Sequence, residues 1–260
     1  MTAGTPATLY RLRQAVAKIE GQETDLGIGR RLFAFGIRKI DTVLQGGLAP
    51  ASLHEIAPTA LRDLGAAAGF AFALAARAAK GGGDTLCIQT DFTAIESGNI
   101  YGPGCDLFGL QTKKLLILKV SRPRDALWAM EEALKCRALA SVIAELPHDG
   151  SIADLTATRR LTLAAREGGS LGLLFRHRPS SLASSVETRW EVTAAPSRPD
   201  RYGGLGRTAF VLSLTKNRHG PADRWPVAWD HHERVFSALS LDMAETAFDR
   251  PDRAPRIRAG

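Results

Sequence analysis

The sequence predicts an α/β protein: a mostly parallel twisted sheet flanked by helices, with antiparallel strands added at one edge. Three observations carry that prediction. Between Phe33 and Arg176, short and nearly continuous apolar runs alternate with longer helical stretches, the pattern of parallel strands covered on both faces. Beyond Thr188 the period changes to strict alternation of apolar and polar residues, as in antiparallel strands with one face on the core. Clusters of glycine and proline fall at the boundaries, where a chain must turn or a helix must stop.

The first segment, residues 1–31, reads as a helix and a linker. Leu9, Leu12, Val16 and Ile19 share one helical stripe, Thr8 is a fitting N-cap, and Gly21, Gly27 and Gly29 end the pattern. Packing on its own domain and service as an arm for a neighbour both fit this stripe. The core is expected over residues 32–240. Strands are expected at Ser52–Ile56, Thr85–Gln89, Leu115–Val120, Ala140–Glu145 and Leu171–Arg176. Helices are expected at Leu64–Lys80, stopped by Gly81-Gly82-Gly83; at Pro123 to about Arg137, with proline at the first turn; and at Ile152 to about Glu167, stopped by Gly168-Gly169. Antiparallel strands are expected at Thr188–Thr193 and Thr208–Thr215, with two shorter ones at Trp225–Trp229 and Arg234–Phe236. Residues 241–260 carry Arg250, Arg253, Arg256 and Arg258 beside Pro251 and Pro255; they have little to bury and read as a basic, mobile tail.

Composition excludes several classes. With 260 residues, 45% of them hydrophobic and 23% charged, the chain is an ordinary globular one and neither collagen-like nor wholly disordered. The longest apolar run, Leu64 to Ala76, falls short of the roughly 18 residues a membrane span needs, and the N-terminus lacks the apolar stretch of a secretory signal. Cys87, Cys105 and Cys136 are far apart and odd in number, so neither a disulfide framework nor a zinc cluster is expected, and a reducing cytoplasm is the default. The net charge of +7 permits a nucleic-acid partner and does not by itself require one.

A sheet of this kind binds ligands at the carboxyl ends of its strands, so a phosphate loop is sought after the first strand. The motif G-x-x-x-x-G-K-[ST] is absent, and the position holds Ala57 to Gly65, with Pro58, Thr59, Arg62 and Gly65 as the only candidate cradle residues. It has no lysine, no hydroxyl behind one and no run of glycines, and Asp63 would repel phosphate. No cofactor is therefore expected, and ATP with magnesium would bind weakly at most. Asp91 and Glu145 stand at strand ends, where an ATPase would place acids for water and magnesium and where solvated carboxylates are also common. No hydrolase triad and no metal cluster is evident: Ser180, Ser181, Ser184 and Ser185 lack a nucleophile elbow, His231 and His232 diverge, and His177 reads as a solvated loop residue. Arg176, Arg178, Arg201, Tyr202 and Arg207, near Gly203-Gly204, form a candidate nucleic-acid surface that could equally be solvated loop.

Phe35-Gly36-Ile37, Ile40-Asp41, Leu44 and the stretch Gly46 to Ile56 resemble the run that leads into the phosphate loop of RecA-type cores. More closely, Gly46-Gly47-Leu48 with Leu53-His54-Glu55-Ile56, the Ala-rich helix from Gly69 to Arg77, and Asp125-Ala126-Leu127-Trp128-Ala129-Met130-Glu131-Glu132 resemble the ImuA family, RecA-like bacterial mutagenesis proteins also described as SulA-like or damage-inducible. The resemblance covers about residues 30–235. It implies a RecA-like core in which Asp91 matches the catalytic acid and Glu145 the acid of the second ATPase motif. It sets Arg176-His177 where RecA carries its nucleotide-sensing pair, and Lys216 with Arg218 as the cations that reach a neighbour's nucleotide. It further implies an accessory role in SOS-induced translesion DNA synthesis, with an ImuB-like Y-family polymerase homologue and an error-prone DnaE-type polymerase as partners. RecA and DNA are further candidate partners, and no membrane is involved. The competing expectations are a weak DNA-stimulated ATPase and an inhibitor of RecA or of cell division acting through the old subunit interface.

Overall fold

A computed structural model describes residues 32–147, 152–197, 204 and 206–239. The expected N-terminal helix and the basic tail lie outside the described residues. The core is a nine-stranded sheet in the order β3-β2-β4-β5-β1-β6-β7-β8-β9. Its strands are β1 (Leu53–Pro58), β2 (Asp84–Thr90), β3 (Leu115–Val120), β4 (Leu139–Leu146), β5 (Leu171–Arg176), β6 (Thr188–Ala195), β7 (Thr208–Asn217), β8 (Asp223–Asp230) and β9 (Val235–Ala238). β3 through β6 in that spatial order run parallel, and β6 through β9 pair antiparallel. The sheet is the RecA-type arrangement that the sequence predicts, with every expected strand present.

Among the described residues six helices accompany it: α1 (Arg38–Val43), α2 (Leu64–Ala78), α3 (Asp91–Ser97), α4 (Gly102–Leu107), α5 (Pro123–Leu134) and α6 (Leu155–Gly168). α2, α5 and α6 are the helices the sequence predicts, and their ends follow local chemistry. The Asp154 carboxylate accepts the Ala157 N–H at 2.8 Å and opens α6, while Gly169 at φ 76° closes it in the left-handed region. α1, α3 and α4 are six or seven residues long, too short to show a helical period in the sequence. Among the described residues no helix is long and apolar enough to cross a membrane.

Each face of the sheet has its own core. Under α2 lies an aromatic cluster in which Phe70 meets Trp190 at 5.6 Å and Phe236 at 5.8 Å, and Trp229 meets Phe236 at 4.8 Å. Gly69 lets this helix approach α4: a Cβ there would lie 2.4 Å from the Phe108 ring. Under α5 and α6 the core is aliphatic, built from Leu53, Met130, Leu134, Val142, Leu161 and Leu174. Cys87 is buried in the core under α2, and its thiol pKa is pushed up by desolvation, which suits a packing residue and not a nucleophile.

One expectation is corrected here. The run Leu115–Val120 reads as a buried strand, yet β3 is the edge of the sheet, and Leu116, Ile117 and Leu118 are 51%, 46% and 39% exposed. An apolar run by itself cannot tell a central strand from an edge strand that meets something other than its own chain.

Phe70 sits where the sheet's aromatic residues converge, so Phe70→Ala should lower unfolding stability by about 3–5 kcal/mol. Urea denaturation checks this, and a loss below about 1 kcal/mol would show that the cluster does not anchor α2.

Candidate functional site at the carboxyl ends of the strands

β1, β2, β4, β5 and β6 are parallel, so their carboxyl ends open on one side of the sheet, and β7 starts there as well because Ala195 pairs with Ala209. The sequence places its candidates on this side.

The connection from β1 to α2 is five residues long, Thr59 to Asp63, and ends in a 3-10 turn over Leu61–Asp63. Pro58 is the buried last residue of β1. Three of the five backbone N–H groups bond to this chain's own acceptors. Thr59 N–H donates to the Val192 carbonyl at 2.9 Å, Asp63 N–H to the Ala60 carbonyl at 2.9 Å, and Ala60 N–H to the Asp63 carboxylate at 3.1 Å. The other oxygen of Asp63 accepts the Ala194 N–H at 3.0 Å, and the side chain is buried. A carboxylate thus stands at the start of α2, where backbone N–H groups and the helix dipole favour an anion. Arg62 and Gly65 are exposed, and a Cβ added at Gly65 would meet nothing.

Beside this connection lies a mostly apolar cavity of about 190 Å³ between α2 and the chain after α3, lined by Leu64, Gly65, Phe72, Tyr101, Gln89 and Glu145. Glu145, the next-to-last residue of β4, is buried, and three side-chain donors hold its carboxylate: Gln89 Nε2 at 2.7 Å, Ser97 Oγ at 3.0 Å and His177 Nε2 at 2.7 Å. His177 also places Nδ1 3.5 Å from Glu96. The solvated loop histidine expected from the sequence is therefore a buried partner of Glu145. Asp91 heads α3, exposed to solvent, and among the described residues it shares no hydrogen bond with Glu145. The residue that faces Glu145 from β2 is Gln89, two positions earlier. A side-chain amide cannot remove a proton from water, and Glu145 has both oxygens occupied by protein donors, so the pair is arranged for fixing strand ends. Gln89, Ser97, Glu96 and His177 escaped the sequence reading because their partners lie on different strands; only the period-two placement of Gln89 with Cys87 hinted at the shared face.

On the opposite face, Glu55 of β1 is fully buried between two arginines. Arg176 Nε of β5 lies 3.2 Å and Arg189 Nε of β6 lies 3.0 Å from its Oε1. The contacts are ionic and not linear hydrogen bonds, and each guanidinium is further fixed by carbonyls, Arg176 on Ala153 at 3.1 Å and Arg189 on Leu182 at 2.9 Å. Arg176 is thereby removed from the candidate nucleic-acid surface: it is buried, and its charge is balanced inside the sheet. His54, next to Glu55, bridges Thr188 Oγ1 at 2.8 Å and the Ala49 carbonyl at 3.0 Å, so the Leu-His-Glu-Ile motif is a structural lock.

The remaining candidates are scattered. Lys216 is half-buried and its ammonium donates to the Ser184 carbonyl of its own chain. Burial, and then repulsion from Arg189, holds its pKa below the usual lysine value. Arg218 is exposed. Arg178 is exposed just past β5, and Arg207 just before β7 pairs with Asp230 at 2.6 Å. Two intervening strands, β1 and β6, separate these positions, which is about 14 Å at ordinary strand spacing. Arg201 and Tyr202 lie outside the described residues. Among the described residues no group of His, Cys, Asp and Glu could hold a metal ion.

Glu55→Gln leaves two buried guanidiniums without a counter-charge and should destabilise the fold by about 3–5 kcal/mol. Replacing all three members with apolar residues, Glu55→Leu with Arg176→Met and Arg189→Met, should recover most of that loss in urea denaturation. A cost below about 1 kcal/mol for Glu55→Gln would show that the triad is not what joins β5, β1 and β6.

No family model matches the chain. It is 26% identical over 209 residues to Protein ImuA of Caulobacter vibrioides, in strain NA1000 / CB15N and in strain ATCC 19089 / CIP 103742 / CB 15 alike, covering 75% of this chain and 82% of that protein. Its fold is similar to the crystal structure of the RadB recombinase, with a TM-score of 0.55 at 14% identity, over 80% of this chain and 100% of that one. The likeness read from the Leu-His-Glu-Ile and Asp-Ala-Leu-Trp motifs is thus supported: the chain is similar in sequence to ImuA, and its fold is RecA-like.

Proposed function

We propose that this protein is an accessory factor of SOS-induced, error-prone translesion DNA synthesis, a RecA-like adaptor that assembles partners and does not turn over ATP. One observation carries the second half of this reading. Thr59, Ala60 and Asp63 bond their N–H groups to their own chain, and the Asp63 carboxylate sits at the start of α2. A phosphate loop works by turning its N–H groups to the ligand, with a lysine beyond them. This connection is a degenerate form of that loop: it has no such lysine and presents a negative charge instead. A lost lysine contact alone removes about 1.5–3 kcal/mol of binding.

The process and the partners rest on the ImuA likeness. The partners are an ImuB-like Y-family polymerase homologue and an error-prone DnaE-type polymerase, with RecA and DNA as further ones. The uncovered apolar edge at Leu116–Leu118 supports a docking role, since a soluble monomer gains nothing from presenting it. Arg178 and Arg207 are exposed at the carboxyl end of the parallel strands and Arg218 at the opposite end, and they supply the cations for contact with DNA.

Two measurements test this. Calorimetric titration with ATP and magnesium should show no magnesium-dependent binding tighter than about 10 μM, roughly −6.8 kcal/mol. Binding stronger than that, together with DNA-stimulated phosphate release abolished by Glu145→Gln, would establish the weak ATPase instead. Mixing the purified chain with an ImuB-like protein and a DnaE-type polymerase should give a complex that co-elutes in gel filtration, and elution of each component alone would overturn the adaptor reading.

A further inference from the structure

A second cavity lies at the far end of α2, where the helix runs out through the turn Ala79–Gly81 and the chain enters β2. Its volume is about 370 Å³, within the range of small-molecule sites, ~300–1,000 Å³. Four cations line it from four places in the sequence: Arg77 at the end of α2, Lys80 in the turn after it, Lys114 in the turn before β3, and Arg234 between β8 and β9. Among the described residues no carboxylate lines it.

Cations at the end of a helix complement its dipole, which accounts for Arg77 and Lys80. The dipole acts within the last turn, so it does not account for Lys114 and Arg234, which belong to other elements. Two carboxylates act on the group from outside the wall, Asp41 on Arg77 and Asp106 on Arg234. Both are already occupied. Asp41 accepts the N–H groups of Phe35 and Gly36 at 2.6 and 3.0 Å, and Asp106 accepts the N–H and hydroxyl of Thr112 at 3.1 and 2.5 Å.

The guanidinium of Arg77 donates through Nη2 to the Ala34 carbonyl, while its buried Nε has no acceptor. The Lys80 ammonium is held below its usual pKa by desolvation first, then by repulsion from Arg77 and Arg234. Arg234 adopts φ 54°, a left-handed conformation uncommon for a residue with a side chain, and such strain persists where surrounding structure or function requires it. Its stem runs past Gly109, where a Cβ would come within 3.1 Å of it. Like charges are thus gathered around an open volume, with a buried donor unsatisfied and a strained residue at the rim.

We propose that this cavity is a phosphate site that takes a compact polyphosphate, the di- or triphosphate of a small nucleotide or pyrophosphate itself, on these four cations and without a metal. Charge-assisted bonds from two guanidiniums and two ammoniums replace the magnesium that a phosphate loop would use. Two forked guanidiniums favour a cluster of tetrahedral oxygens over a single carboxylate. The site is remote from the β1–α2 connection, so it stands whether or not that connection holds nucleotide.

The test is calorimetry on the full chain with pyrophosphate in EDTA at low salt, ATP in EDTA as a second probe, and a single-stranded oligonucleotide as a third. Saturable one-to-one binding of pyrophosphate is expected. Lys80→Ala with Lys114→Ala should weaken it by about tenfold or more, at about 1.4 kcal/mol per tenfold. Both lysines are exposed, so the fold survives the change, and Arg159→Ala on the exposed side of α6 should leave binding as it was. Binding by ATP in EDTA with the same sensitivity identifies a nucleotide as the source of the phosphates. No pyrophosphate binding, or binding indifferent to the double variant, overturns the proposal. Binding of the oligonucleotide without pyrophosphate also overturns it, because the cations would then track a nucleic-acid backbone and not enclose a compact anion.

Discussion

Glu55 stands on β1, beside β6, the strand where the parallel and antiparallel parts of the sheet meet. β5 lies on one side of β1 and β6 on the other, and each contributes one arginine to the same buried oxygen. A carboxylate in an apolar interior is costly, and so is a guanidinium, but three such groups in contact fix one another's strands in register. The constraint extends outward from there. Arg176 bonds the Ala153 carbonyl ahead of α6, and Arg189 holds Leu182 and Ser184 in the segment that leads into β6. His54, one residue away on the other face, bonds Thr188 and Ala49. With β1 held on both edges, its carboxyl end can deliver Pro58 and the connection behind it to one place. The same parts make the lock intolerant: each charge is acceptable only while the others remain.

At the carboxyl ends of the strands, two acids are held by donors of the chain itself. Glu145 keeps its position at the end of β4, yet its neighbours are an amide, a hydroxyl and an imidazole that saturate its oxygens. Asp63 occupies the anion-favouring start of α2 from within the chain. Both acids contribute to packing order at a surface that strands β1, β2 and β4 would otherwise leave loose. At the far end of α2 the electrostatics reverse, with Arg77, Lys80, Lys114 and Arg234 gathered around a cavity without an internal counter-ion. The two ends of this helix are thus suited to different partners.

Much of this was legible in the sequence, for identifiable reasons. Apolar runs located the first five strands and apolar–polar alternation the last four, because side-chain period and turn chemistry are local properties. The absent G-x-x-x-x-G-K-[ST] motif is likewise a local fact. What escaped depends on which strands become neighbours. Arg176 reads as a loop cation until β1 is placed beside β5 with Glu55 two residues down the same face. His177 reads as solvated until Glu145 arrives from β4. Asp91 reads as a strand-end acid like Glu145, and the side chain that the pleat sets against Glu145 is Gln89. β3 is apolar enough for the centre of a sheet and lies at its edge. Short helices such as α3 depend on one cap, Thr90 with Thr93, and carry no period to find.

The claim on which the account turns is that the chain's own acceptors hold the amides between β1 and α2. Hydrogen exchange at Thr59, Ala60 and Asp63, with and without ATP and magnesium, tests it most directly. The account predicts that these amides are protected in the protein alone and that exchange does not change when nucleotide is added. Rapid exchange in the protein alone, followed by marked slowing when ATP and magnesium are supplied, would contradict it.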